Sequence, residues 1–268
     1  MPMLWRMAQS ARAVIHFGPW RHAARAIIRR VRPPKKDVAN STARYISVET
    51  TRLISNLLDC GSAMAGTLPT DVLRRIQGIS DRLPPGEYGD FQANTDVRAL
   101  TDCAANVARN YLRAEPDLLE CSLFVSDAED PSASLPHDSD RHFHFEDAGW
   151  HSLSLFVYLT DVSEHSGAHQ VVAGTHRKLS LRDAIRGVIS EVEVRTRYLA
   201  QIQTIIGPPG TMFFEDTSAI HRRLLYAKRH AFIHILFVSH RSWSSRGRRN
   251  STYAEYRRTH PDMATEHR

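Results

Sequence analysis

Four residues have the types and the order that metal chemistry requires: His144, Glu146, His221 and, after them, Arg229. Two imidazoles and one carboxylate are the ligands of a mononuclear non-haem Fe(II) site, which leaves one octahedral face open. Because residues two apart in a strand point to the same side, His144 and Glu146 can project into one cavity. Arg229 offers a planar fork that suits a carboxylate. The sequence therefore predicts an iron site with an anion anchor nearby.

The chain changes its pattern halfway along, which indicates the scaffold for these residues. Apolar residues at helical spacing follow Ser47, Thr70 and Asp96, each suited to a helix N-cap, and predict three helices. From Ser122 onward, short β-rich runs alternate with turn residues. We expect strands over 123–125, 142–146, 153–159, 170–172, 202–206, 212–214, 220–225 and 231–238. Eight short strands behind a helical half indicate a mainly β fold with α support, a double-stranded β-helix or jelly roll with N-terminal helices.

An insert interrupts the strands. Ser180 and Asp183 have the spacing of a capping box and predict a helical insert of about twenty residues. We expect this insert, over 181–200, and the segment 126–141 to shape a substrate site. Neither segment carries a pattern that identifies the substrate.

The first 36 residues contain nine Arg or Lys and no acidic residue. A helix is predicted between Gly18-Pro19 and Pro33-Pro34. Its apolar stripe consists of Trp20, Ala23, Ala24, Ile27, Ile28 and Val31, and the opposite face carries Arg21, Arg25, Arg29 and Arg32. Two interpretations remain open: an interfacial helix on a membrane, or a helix docked on the domain with its arginines in water. The pattern favours the docked helix, and it also resembles a transit peptide.

Composition narrows the function classes. The 268 residues carry a formal net charge of +6, concentrated at both ends, and contain no apolar run long enough to cross a membrane. The three cysteines form no disulfide pattern, which is typical of a reducing compartment, so we expect a cytoplasmic protein with peripheral membrane contact through residues 1–36 left open. No nucleic-acid-binding signature is present. We expect a basic N-terminal segment over 1–40, a helix-braced domain over 41–243 and a basic tail over 244–268.

Five elements in order resemble the phytanoyl-CoA dioxygenase-like family. The first is His144-Phe145-Glu146 with the hydrophobic strand that ends in Leu159-Thr160-Asp161-Val162, similar to the family's His-x-Asp and the strand after it. Gly167 follows. The third is Val172-Ala173-Gly174-Thr175-His176, similar to the family's Pro-Gly-Ser-His turn, and the fourth is the strand over 210–217 followed by His221-Arg222. The fifth is Arg229, which leads into the apolar strand over 232–238. The resemblance covers about residues 140–240.

This resemblance implies a jelly-roll oxygenase in which His144, Glu146 and His221 bind Fe(II) and Arg229 binds the distal carboxylate of 2-oxoglutarate. The resemblance also implies the reaction: O2 is used to hydroxylate a small organic or natural-product substrate, and succinate and CO2 are released. Two departures stand out. Glu146 replaces the family's usual Asp, and its extra methylene shifts the carboxylate outward. The eight residues from His221 to Arg229 are few for the family and imply a tight hairpin.

Alternatives remain at this point. His142 shares a face with His144 and Glu146, so the run also resembles the four-ligand site of cupins, and Asp147 is a weaker substitute for Glu146. A redox-silent jelly roll that binds a metal or ligand, and an adaptor that uses the basic ends, are the alternative functions. His234 alternates with buried isoleucines and is a candidate to lie against a carboxylate. We expect the other histidines to lie at the surface or in ordinary packing, and Asp216-Thr217 to form a turn. We also expect residues 1–36 to be dispensable for catalysis.

Overall fold

The computed structural model describes residues 14–18, 20–35, 45–128, 142–146, 148–225 and 228–241. Its helices are α1 Arg21–Val31, α2 Thr50–Cys60, α3 Thr70–Ser80, α4 Thr95–Leu112, α5 Thr175–Lys178, α6 Leu181–Arg186 and α7 Glu191–Tyr198. Its strands are β1 Ser62–Thr67, β2 Gly86–Tyr88, β3 Asp117–Ser126, β4 Phe143–His144, β5 Ser152–Tyr158, β6 His169–Val172, β7 Val188–Ile189, β8 Ile202–Ile205, β9 Thr211–Glu215, β10 His221–Arg223 and β11 His230–Val238. Within these ranges, no helix is both long and apolar enough to cross a bilayer.

The strands form two antiparallel sheets that face each other. The larger sheet has the order β1-β9-β5-β11-β3-β2, and the smaller has the order β7-β4-β10-β6-β8. An aromatic-rich cluster fills the space between them, with Phe156, Phe213 and Phe232 from the larger sheet and Val171 and Ile205 from the smaller. Full burial of one such side chain contributes on the order of 1.5–3 kcal/mol.

Helices α2, α3 and α4 cover the outer side of the larger sheet. Their apolar residues recur every three or four positions, so Leu53 and Leu57 of α2 and Leu100 of α4 reach one continuous core with Leu155 and Ile233 of the sheet. The side chain of Asn94 accepts a hydrogen bond from Val97 N at 3.1 Å and caps α4.

The predicted helices differ from the structure at their N-caps and in the insert. Asn94 caps α4, whereas Asp96 was predicted. Glu49 stands at the N-cap of α2 and Pro69 at that of α3, whereas Ser47 and Thr70 were predicted. Ser180 caps α6 as its spacing from Asp183 predicted, with Asp183 N donating to Ser180 Oγ at 3.0 Å, but the insert consists of α6 and α7 separated by strand β7.

All eight predicted strands are present, and three more complete the sheets. Strands β1, β2 and β7 were not predicted: β2 and β7 have only three and two residues, and β1 consists mainly of small residues that give no clear strand signal. Strand β4 contains only two residues, and Glu146 lies just beyond it.

Helix α1 is oriented opposite to the favoured expectation. Arg21 is only 8% exposed, whereas Ile27 and Val31 are 62% and 69% exposed. The guanidinium of Arg25 donates to Trp150 O at 2.7 Å, and Arg32 pairs with Asp117. The arginines therefore hold α1 on the domain, and most of the apolar stripe faces outward.

Candidate metal centre

The three predicted ligands meet at one end of the space between the sheets. His144 on β4 and His221 on β10 are directly opposite each other in the antiparallel ladder, and their ring centroids are 4.5 Å apart. The backbone N–H of Glu146 donates to Thr217 O at 2.7 Å, which fixes Glu146 beside the segment that leads to His221. One ligand atom from each of the three side chains lies within 4.8 Å of the other two.

Hydrogen bonds orient both imidazoles. The Nδ1 of His144 lies 2.9 Å from His142 O, and the Nδ1 of His221 lies 3.0 Å from Ala219 O. Since a carbonyl oxygen only accepts, each Nδ1 carries the hydrogen, and each Nε2 is left with a lone pair for a cation. Fixing the tautomer through the second ring nitrogen is the usual arrangement for a metal-binding histidine.

The donor set suits a divalent transition metal. Two imidazoles and a carboxylate match iron, and a three-residue set leaves coordination positions open. In the described part of the chain, no other group of three such side chains approaches as closely. His142 is exposed and does not belong to this group, so the structure does not favour the four-ligand alternative. Asp147 lies outside the described residues.

A buried carboxyl that was not predicted lies beside this centre. Glu215 has no exposed surface, its Oε1 is 3.3 Å from His221 Nδ1, and its Oε2 is 3.8 Å from His169 Nδ1. Burial, together with the charges of Glu146 and Asp216, raises the pKa of Glu215 well above its ordinary value. A neutral carboxyl therefore packs against His221. Its position at the end of an apolar strand was the signal available in the sequence.

The interior also contains histidines whose roles were left open. His234 lies between Glu120 Oε1 at 3.3 Å and Ser154 Oγ at 2.9 Å, as its alternation with isoleucines predicted. Burial lowers the pKa of His169 well below its usual value and that of His230 to about 3, and the charge of Arg223 contributes to both shifts. Both imidazoles are thus neutral, next to a cationic side chain.

The structure does not bring Arg229 to the three ligands. Its guanidinium donates to Ser80 O and Leu83 O, at 3.1 and 2.6 Å, and pairs with Asp127 at 2.9 Å. Arg229 and Ile233 are four positions apart, so their side chains point to the same side of the sheet, and Ile233 packs on the helices. Its predicted part in binding an acidic cosubstrate is therefore not supported by its position.

Arg223 is a cationic residue on the same strand as His221. It follows His221 by two residues on β10, so the two side chains share a face. It pairs in the ladder with His169, whose ring makes edge contacts with Phe156 and Phe213 inside the aromatic cluster. This placement directs the Arg223 side chain into the space between the sheets.

A second buried polar cluster supports the segment before His221, and we call it the Asp216 cluster. The Tyr111 hydroxyl donates to Asp216 Oδ2 at 2.7 Å, and Ser218 donates to Oδ1 through its N–H at 3.0 Å. Arg21 donates to Ser218 Oγ at 3.1 Å, and His151 Nε2 lies 3.6 Å from Asp216. Asp216, predicted only to form a turn, therefore joins α1 and α4 to the segment that positions the second histidine.

The charge on Asp216 is stabilised by its neighbours. Burial opposes ionisation, but the contact with His151 and the guanidinium of Arg25 lower the pKa of Asp216 well below its usual range. Burial lowers the pKa of His151 to about 3. Residues of α1 thus contribute to a buried ionic cluster, contrary to the expectation that the arginines of this helix lie in water.

We expect Asp216→Asn to lower the free energy of unfolding by about 2 kcal/mol, because it leaves buried donors and guanidinium groups without their anion. Since the folded pKa is depressed, this difference should be complete above pH ~4, the usual pKa of an unfolded aspartate, and should shrink as the pH falls below it. Urea unfolding at several pH values measures it. Asp59→Asn, at a side chain that is 70% exposed, is the control, and equal effects of the two substitutions would contradict the prediction.

Comparison with known proteins gives the fold its class. No protein-family model matches the chain, and no curated sequence matches it. Solved structures do: EctD from S. alaskensis with bound Fe has 17% identity and a TM-score of 0.54, over 82% of this chain and 95% of that one. HygX from Streptomyces hygroscopicus with iron bound has 16% identity and a TM-score of 0.54, over 77% and 96%.

A third similar structure is that of SnoN, described as a non-heme alpha ketoglutarate dependent epimerase from nogalamycin biosynthesis. It has 16% identity and a TM-score of 0.54, over 70% of this chain and 82% of that one. These likenesses confirm the predicted fold class, a β-rich double-stranded β-helix with helical support. At this level of identity they establish the fold alone.

Proposed function

We propose that this chain is an Fe(II)- and 2-oxoglutarate-dependent dioxygenase that hydroxylates a small organic or natural-product substrate. The observation that carries the proposal is the meeting of His144, Glu146 and His221, with ligand atoms within 4.8 Å of one another. The iron-containing structures of the same fold support it, and so does the resemblance of residues 140–240 to the phytanoyl-CoA dioxygenase-like family. Bound iron and 2-oxoglutarate would supply the oxidising chemistry, with O2 consumed and succinate and CO2 released.

Residues of the chain have separate tasks in this proposal. His144, Glu146 and His221 hold the metal, and the carbonyls of His142 and Ala219 keep the two imidazoles in the required tautomer. Phe156, Phe213 and Phe232 exclude water from the space between the sheets.

We further propose that Arg223 binds the distal carboxylate of 2-oxoglutarate. It shares a face with His221, and a guanidinium can offer a carboxylate two parallel hydrogen bonds in the space between the sheets. The anchor predicted from the sequence, Arg229, lies on the helix-covered side and already binds two carbonyl groups. Substitution of either arginine separates the two assignments.

We propose that the protein is located in the cytoplasm, a reducing compartment. Cys60, Cys103 and Cys121 are all free thiols. Burial raises the pKa of Cys121 to about 12, which keeps it protonated and unreactive.

We expect the purified protein to form succinate from 2-oxoglutarate when Fe(II) and O2 are both present. Omission of iron or oxygen, or the Glu146→Ala substitution, should reduce succinate to the background rate. Enzymes of this kind turn over 2-oxoglutarate slowly even without their substrate, so succinate should form in its absence. Mass spectrometry measures this succinate. Metal binding with no succinate under any of these conditions would favour the redox-silent jelly roll.

The type of oxidation is a separate question, since an epimerase shares this fold. A library of small natural products can be incubated with the active protein and searched for products heavier by one oxygen atom. Hydroxylation predicts such a product, with label from 18O2 incorporated. A product of unchanged mass would favour epimerisation.

A further inference from the structure

We infer that the outward face of α1 binds an anionic lipid surface. This face is defined by Trp20, Ala23, Ile27, Arg30 and Val31. The inference is independent of the proposed oxidation chemistry, because none of these residues contacts the candidate metal centre.

The orientation of α1 is fixed from the inner side. Arg21, Arg25 and Arg32 bind Ser218, the Trp150 carbonyl and Asp117, which belong to three distant segments of the domain. Rotation of the helix to bury its apolar stripe would break these contacts and would leave the Asp216 carboxylate with fewer cationic neighbours. The apolar stripe is therefore held outward by the fold itself.

The exposed side chains form a continuous stripe. Trp20, Ile27 and Val31 are 45%, 62% and 69% exposed. At 3.6 residues per turn, the three fall within about 40° of one another around the helix axis. Single exposed apolar residues are ordinary on a protein surface, whereas a contiguous stripe indicates a binding surface.

Charge favours lipid over a second copy of this chain. Arg30 is exposed on the same face, and Lys35 is exposed just beyond the helix. A symmetric dimer through this face would bring the same cations together. An anionic bilayer surface accepts both the cations and the apolar stripe, and residues 1–36 contain no acidic side chain that would oppose this contact.

The composition of the face matches a helix that lies in the membrane interface. Such helices place aliphatic and aromatic residues at the boundary between headgroups and acyl chains, with basic residues beside them. Trp20 stands at the start of the stripe, and its indole N–H donates to Ile15 O at 2.6 Å. Tryptophan is enriched at this depth in membranes.

The test is flotation of the full-length protein with phosphatidylcholine vesicles that contain or lack phosphatidylserine. Binding should require phosphatidylserine and should weaken as salt is raised. The double variant Ile27→Ser and Val31→Ser should bind about tenfold more weakly or worse, because two apolar side chains no longer enter the bilayer. Val192→Ser with Leu199→Ser is the matched control, since these side chains are 77% and 63% exposed on and after α7.

A second measurement does not depend on those substitutions. Brominated lipids should quench part of the tryptophan fluorescence of the wild-type protein, and Trp20→Phe should remove that quenching. Absence of flotation with phosphatidylserine vesicles would overturn the inference, and so would equal binding by the Ile27/Val31 double variant. Self-association that is lost in this variant, without vesicle binding, would identify a second copy as the occupant. Stronger binding to DNA than to vesicles, unaffected by the variant, would also refute the lipid assignment.

Discussion

Replacement of His221 by alanine should abolish stoichiometric binding of Fe(II). The remaining pair, His144 and Glu146, would hold the cation from one side only. Loss even of residues that merely orient metal ligands commonly lowers metal affinity about 10- to 100-fold, so loss of a ligand itself should exceed ~100-fold. Anaerobic titration, with 2-oxoglutarate present and the keto-acid charge-transfer absorption recorded, measures the number of sites and their affinity.

Two controls make this result specific. His165→Ala removes an exposed histidine and should leave one site per chain. His142→Ala should also retain the site, because the His142 side chain is exposed. The hydrogen bond from His144 is to the backbone carbonyl of residue 142, which the substitution keeps. Glu146→Asp restores the residue usual in the resembled family and should keep part of the affinity. An unchanged absorption band in folded His221→Ala protein would disprove the assignment of the centre.

Arg223→Ala should weaken 2-oxoglutarate binding by 2–5 kcal/mol, or roughly 30- to several-thousand-fold, since a buried carboxylate would lose its partner. Binding of Fe(II) alone should remain nearly unchanged. Arg223→Lys should restore only part of the affinity, because an ammonium group lacks the planar fork. Titration of the iron-loaded protein with 2-oxoglutarate gives each dissociation constant directly.

Arg229→Ala is the decisive comparison. It should leave the affinity for 2-oxoglutarate intact but lower the free energy of unfolding by about 1 kcal/mol, since the carbonyls of Ser80 and Leu83 lose their donor. The opposite pattern, with weak cosubstrate binding in Arg229→Ala and normal binding in Arg223→Ala, would restore the assignment made from the sequence.

The sequence was sufficient where the signal was local and periodic. The alternation of His144, Glu146 and the strands around them predicted a common cavity, and the structure brings those side chains together with His221. Strands β5 and β11 were predicted because they combine length with β-branched and aromatic residues. Strand β7 was not, since two residues carry no period.

The sequence was insufficient where a partner on a distant segment decides the outcome. The hydrophobic pattern of α1 predicted an inward apolar face, but hydrogen bonds to Ser218 and to the Trp150 carbonyl decide which face is inward. Glu215 and Asp216 were overlooked or assigned to a turn because their neighbours come from other strands and helices. For Arg229, the sequence already contained a usable signal. Alternate residues of β11 point to opposite sides of the sheet, and Arg229 falls on the same side as Ile233, which the helices cover.

The brevity of β4 has a thermodynamic consequence. A strand of two residues forms few hydrogen bonds with its neighbours, so β4 contributes little to the stability of its own pairing. Its histidine, His144, lies opposite His221 of the neighbouring β10. A cation bound by both would act as a cross-link between parts of the chain that are far apart in sequence. By mass action, a ligand that binds only the folded chain at a hundred times its dissociation constant adds about 2.7 kcal/mol to stability. Occupancy of the centre and the pairing of β4 with β10 would then be coupled, and metal supply would influence how long the folded protein survives.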